Sequence, residues 1–110
     1  MPASAARRTR RAPVFAALGD ETRLRLVNRL GEEGPLSIVA LTAGSRVTRQ
    51  AVSKHLRVLA GAGLARCSRA GREAVWELQP RPLAEARAYL EHVSQRWDAA
   101  LGRLKAFVEP

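Results

Sequence analysis

The sequence predicts a mainly α-helical chain with one small β-hairpin, in the order α-α-α-α-β-β-α. Three observations predict it. Apolar residues recur at three- and four-residue steps in several separate stretches, the spacing that gathers them on one face of a helix. The stretch 64–78 instead alternates at every second residue around Ala70-Gly71, as two paired strands do. Glycines and prolines stand at the joins: Gly19, Gly31, Gly34, Pro35, Gly44, Gly61, Gly63, Pro80 and Pro82.

With 110 residues the chain is one domain, with enough apolar surface for a single core. Residues 1–11 are rich in Ala, Arg and Ser and lack periodicity, so they read as a disordered basic arm, either laid on an anionic partner or simply solvated. The folded part is expected over 12–110. Pro13 suits the first turn of a short helix over Val14–Leu18, which Gly19 ends. Asp20 is placed to cap a second helix over Glu21–Leu30, with Leu24, Val27 and Leu30 as its stripe and Leu26 beside it. Gly31 and Gly34 are expected to close it. After Pro35, Ser37–Ala43 makes a third short helix, with Ile38 and Leu41 facing inward.

Val47–Leu64 is a longer helix with two faces. Thr48 can act as its N-cap, and Ala51, Val52, Leu56, Leu59 and Ala60 form its apolar stripe. Gly61 and Gly63 stop it, since glycine accepts the left-handed geometry of a helix C-terminus. Arg49, Gln50, Ser53, Lys54 and Arg57 fall mostly off the stripe, and none is acidic. Two short strands then flank a turn with Arg69, Gly71 and Arg72 at its tip. Finally, 79–110 opens with Pro80 and Pro82 and becomes a long helix. Leu83, Ala86, Leu90, Val93, Trp97, Ala100 and Leu104 recur there in heptad-like steps, a seam that reaches Phe107 over roughly 37 Å. Tyr89, Leu101 and Val108 widen it. So small a domain has little core left to cover such a stripe. The expected cover is a second copy, with the first helix (Val14, Phe15) joining the interface.

Charge narrows the partner. The net charge is +9, against a charged fraction of 26%, so the balance favours an anionic partner, nucleic acid before an acidic membrane. It is unevenly placed: +4 on 1–11, −1 on 12–35, +5 on 36–78 and +1 on 79–110. The excess sits on the arm and the central segment. Cys67 is the single cysteine, which excludes an internal disulfide and suits a reducing cytoplasm. No apolar run approaches the roughly 20 residues of a membrane-spanning helix. No nucleophile–base pair, phosphate-cradling glycine loop or metal cluster stands out, so no catalytic residues and no cofactor are expected.

A short helix, a glycine-containing turn and a longer basic-faced helix make the layout of a helix-turn-helix, and a hairpin directly after it is a wing. Arg and Lys meet phosphates or guanine, and Gln pairs with adenine. Arg49 and Gln50 are therefore expected at base edges. Thr48, Ser53, Lys54, Arg69 and Arg72 are expected on the DNA backbone, with Arg46, Arg57 and His55 close by. His55 has a second reading, filling the join between helix and wing.

Three motifs carry a resemblance: LGDETRLRLVNRL at Leu18–Leu30, VTRQAVSKHLRVLAGAGL at Val47–Leu64, and the wing from Ala65 through GREAVWEL. With these the chain resembles the ArsR-type (arsenic-repressor-like) winged helix-turn-helix regulators over about 14–108. The resemblance implies a homodimeric transcriptional regulator, usually a repressor that releases DNA on receiving a signal, and a two-fold dimer of this kind is expected to bind an inverted-repeat operator. It also implies a dimer built from the first and last helices. The family's metal sensors carry a Cys-x-Cys-type pair before the recognition helix, where this chain has Ala40, Leu41 and Thr42. Their other site needs Asp, His and Glu on the last helix. Glu91, His92 and Asp98 are present here, but the second His and its following acid are absent. No metal site is expected, and the resemblance is to the metal-independent branch, whose inducer is often unknown. Cys67 reads as a small buried or half-exposed hydrophobe, since a redox switch would need the thiol of a second subunit. The rival readings are a winged-helix protein-interaction module without specific DNA binding, and a metal- or redox-responsive repressor.

Overall fold

In the computed structural model the backbone is described for residues 3–109 and the side chains for 11–109. The elements are α1 (Ala3–Leu18), α2 (Glu21–Glu33), β1 (Leu36–Ser37), α3 (Ile38–Thr42), α4 (Arg49–Gly61), β2 (Ala65–Ala70), β3 (Glu73–Leu78) and α5 (Pro80–Val108). The strands form one antiparallel sheet in the order β1-β3-β2. This is a winged helix-turn-helix: α3 and α4 are its two helices, and β2–β3 its wing.

The helix starts follow from local chemistry. Asp20 caps α2, its carboxylate accepting from the Arg23 N–H at 3.0 Å. Ser37 caps α3 and Thr48 caps α4, their hydroxyls accepting from the Ala40 and Ala51 N–H groups, each at 3.1 Å. The end of α4 is a Schellman motif. Gly63 takes φ +78°, the Leu64 N–H donates to the Leu59 carbonyl at 2.9 Å, and the Gly63 N–H donates to Ala60 at 3.0 Å. That turn sends the chain directly into β2. Thr48→Ala is expected to cost about 1 kcal/mol of stability through the missing cap, read as a lower denaturant midpoint at unchanged slope.

One core unites the elements. Leu41, Val52, Leu56, Leu59 and Leu64 are fully buried, and Val14, Ala17, Leu26, Val27, Leu30, Ala65 and Ala86 close around them. The stripe of α4, Val52–Leu56–Leu59, lies at the centre, so one side of this helix is fixed and the other is free.

Four expectations need correction. The segment expected as a disordered arm is helical from Ala3 onward, while Met1 and Pro2 lie outside the described residues. Ala and Arg are among the strongest helix formers, enough to extend α1 across Pro13, which forfeits one backbone hydrogen bond. The Arg11 guanidinium also packs over the Tyr89 ring of α5, 4.7 Å from its centroid. Next, β1 adds a third strand. Leu36 and Ser37 pair with Trp76 and Val75, and two residues are too few to display an alternation. Gly31 does not close α2, which continues to Glu33 and is ended by Gly34 at φ +83°. Leu24, expected in the α2 stripe, is 44% exposed, because Leu26, Val27 and Leu30 fill the available core.

Candidate nucleic-acid interface

Two arginines of α2 hold the helix-turn-helix in place. Arg29 Nη1 donates to the Ala40 and Leu41 carbonyls at 3.1 and 3.2 Å, capping the end of α3. Its Nε donates to Glu33 at 2.8 Å, and this pair holds the Glu33 carboxyl below, and the Arg29 guanidinium above, its ordinary pKa. Arg23 ties α1 to α4, through the Ala17 carbonyl on one side and His55 on the other. Gly44, at φ +73°, makes the turn from α3 into the approach to Thr48.

The free face of α4 then presents Arg49, Gln50, Ser53, Lys54 and Arg57. With Ile38 of α3 they line an open depression of about 550 Å³. Arg49, Gln50, Lys54 and Arg57 are exposed and Ser53 is half-buried. The ion pairs among the described residues use Arg25, Arg29, His55, Arg66, Arg87 and Lys105. None of them uses Arg46, Arg49, Lys54, Arg57, Arg69 or Arg72. The cations of the α4 face, the turn before it and the wing tip are thus available to a phosphate or a base edge. At the wing tip, Gly71 takes φ +65° at the first of two turn positions, as in a type II′ hairpin turn. Arg69 and Arg72 flank it, both exposed, with Arg69 Nη1 reaching the Arg72 carbonyl at 3.5 Å.

His55 departs from its expected place. Its Nδ1 lies 3.2 Å from Arg23 Nη1 and 3.8 Å from Asp20 Oδ2, so the ring is engaged at the start of α2, neither at the wing join nor on the open face. At about 100° per residue, position 55 falls on the far flank of the Val52–Leu56–Leu59 stripe from Gln50, Ser53 and Arg57. Cys67, expected to be buried or half-exposed, is exposed. It sits on the edge strand β2, which turns only Ala65 into the core.

The residues expected at a dimer interface divide into two groups. Val14 and Ala86 are 3% and 5% exposed inside the single chain, so they belong to its own core. Phe15 and Leu83 are half-buried against that core, and Phe15 also packs on Tyr89 at 5.9 Å between centroids. Val93 and Ala100 are half-buried. Leu90, Trp97 and Leu104 are 53%, 64% and 59% exposed, in line with Leu101 and Phe107. The uncovered seam therefore begins about one turn after Ala86 and runs to the end of α5. Among the described residues, no group of three or more His, Cys, Asp and Glu side chains could hold a metal ion, and no helix is long and apolar enough to cross a membrane.

Asp20 ties the stability of this region to acid pH. The Arg23 N–H bonded to its carboxylate holds the Asp20 pKa below the ordinary carboxylate value. A depressed carboxyl contributes stability above its unfolded pKa and loses it as pH falls through the folded one. Asp20→Asn keeps a capping oxygen without the charge. Its stability deficit relative to wild type is expected to be constant near neutral pH and to shrink on acidification below about pH 4. Thermal unfolding of both proteins from neutral to acid pH checks this.

Three comparisons bear on the family. Residues 18–68 match the family model described as a helix-turn-helix domain, which takes in α2 to α4 and most of β2. The HTH-type transcriptional regulator Rv2034 of Mycobacterium tuberculosis is 42% identical over 96 residues, spanning 84% of this chain and 85% of that protein. The structure of an ArsR-like transcriptional regulator from Rhodococcus sp. RHA1 superposes with a TM-score of 0.80 at 34% identity, covering 92% of this chain and 94% of that one. The chain belongs to the ArsR-type winged helix-turn-helix transcriptional regulators. The arsenic resistance transcriptional regulator ArsR1 of Pseudomonas putida, 31% identical over 76% of this chain and 68% of its own, is a further relative. As an ArsR-type chain it keeps the helix-turn-helix and wing, with α5 carrying the uncovered seam beyond the matched segment.

Proposed function

We infer that this regulator works as a cytoplasmic homodimer that binds an inverted-repeat operator in double-stranded DNA and represses transcription until an inducer releases it. It acts by binding, with no catalytic residue and no resident metal or cofactor. The observation that carries the reading is the α4 face, where four exposed side chains, three of them cationic, stand beside a buried stripe and, among the described residues, meet no internal carboxylate. Arg49 and Gln50, in the first turn of α4, reach base edges. Thr48, Ser53, Lys54, Arg46 and Arg57 lie along the phosphates, and Arg69 and Arg72 take the backbone beside the wing. The exposed seam of α5 pairs with that of a second copy and sets the two α4 helices roughly 34–36 Å apart, one turn of duplex.

A salt titration tests this. Each phosphate neutralised contributes a slope of about −0.9 to log affinity against log salt. The α4 face and wing of two subunits are expected to give a slope of about −6 or steeper, with a selected duplex preferred over an unrelated one. A shallow slope without sequence preference would instead mark a winged-helix module that docks on protein.

A further inference from the structure

Arg23 touches three parts of the fold at once. Its backbone N–H is capped by Asp20 at 3.0 Å. Its Nε donates to the Ala17 carbonyl at 2.6 Å and its Nη2 reaches the Ala16 carbonyl at 3.5 Å, both in the last turn of α1. Its Nη1 stands 3.2 Å from His55 Nδ1, midway along α4. A guanidinium presents rigid, divergent donors and can hold carbonyls on one side and an imidazole on the other; a lysine ammonium is one point charge. α1 packs on α5, the helix with the uncovered seam, whereas α4 carries the DNA-facing side chains. The α1–α4 register therefore governs how the two α4 helices of a dimer are aimed.

We propose that Arg23 is the positioning residue that locks α4 onto the α1–α5 dimerisation layer, and that it does so through His55, whose Nδ1 accepts its hydrogen bond. The proposal rests on the DNA-binding reading and adds a residue that touches no DNA. Arginine is always a donor, so the 3.2 Å contact is a hydrogen bond only while Nδ1 keeps its lone pair. Asp20 Oδ2 lies 3.8 Å from the same nitrogen, on the α2 side of the ring. Among the described residues, the charged side chains placed against the ring are those of Arg23 and Asp20 at the start of α2.

The experiment measures the ratio of affinities for two duplexes, one selected by the wild-type protein from a random-sequence pool and one unrelated. Wild type, Arg23→Lys, His55→Leu and His55→Asn are compared, each checked for folding by circular dichroism. Asn keeps an acceptor near the position of Nδ1 and Leu does not. At about pH 8, Arg23→Lys and His55→Leu should each lower the ratio roughly tenfold, as for one missing hydrogen bond to a charged group, while His55→Asn stays within about threefold. Folded Arg23→Lys and His55→Leu proteins with wild-type ratios would overturn the proposal, as would a His55→Asn ratio as low as that of His55→Leu. If Arg23→Lys fails to fold, the two His55 variants decide the matter alone. A wild-type protein that selects no sequence sinks the DNA-binding reading itself, and this proposal with it.

Discussion

Trp97→Glu is expected to convert the protein from dimer to monomer. In the single chain Trp97 is 64% exposed, and Leu90 and Leu104, one heptad to either side, are 53% and 59% exposed. Such a row on a helix of 29 residues is more apolar surface than an isolated domain usually leaves in water. In a two-fold dimer each substitution acts twice. A buried tryptophan at the centre of an interface is typically worth about 2 kcal/mol or more, and a carboxylate in its place would be desolvated without a partner. The expected loss is about 4 kcal/mol for the pair, roughly a thousandfold in the dimer dissociation constant. Analytical ultracentrifugation at micromolar protein reads it directly. Fold and melting of the monomer should change little, because the core around Leu56 and Leu59 receives nothing from Trp97. A Trp97→Glu protein that sediments as the wild-type dimer would place the interface elsewhere.

Arg49→Ala is expected to weaken operator binding by on the order of 1–3 kcal/mol and to relax sequence preference at the base pair it reads. Arg49 is the first residue of α4, exposed, and without an internal ion pair among the described residues. Its removal should therefore leave the unfolding midpoint alone. Arg72→Ala at the wing tip makes the contrast. Taking that cation away from a backbone phosphate should weaken all duplexes alike and reduce the salt slope by about one. Competition binding against single-base variants of a selected duplex separates the two. Unchanged specificity in Arg49→Ala would move base reading to Gln50 or to the other residues of the face.

Features that depend on one residue and its immediate neighbours were legible in the sequence. The caps at Asp20, Ser37 and Thr48 need only one oxygen three residues before an N–H, and the hairpin needs only alternation around a glycine. The open face of α4 was legible because its apolar stripe has a clear period. The partners of Arg23 and Arg29 were hidden. Apart from Glu33, four residues from Arg29, their acceptors are backbone carbonyls and an imidazole 6 to 32 residues away, and a carbonyl has no letter of its own. His55 looked like part of the DNA face since it lies between Lys54 and Leu56, and only its angular position moves it off. Val14 and Ala86 read as interface residues, although periodicity alone cannot tell an apolar face shared with another chain from one folded onto its own core.

Two basic α4 faces, one per subunit, held one turn of duplex apart by the α5 seam form the central claim. Hydroxyl-radical footprinting of the wild-type protein on a selected duplex tests it most directly. The expected pattern is two equivalent protected patches on one face of the helix, about 10 base pairs between centres, both abolished together in Trp97→Glu. A single patch, or two patches that persist unchanged in the monomeric variant, would contradict it.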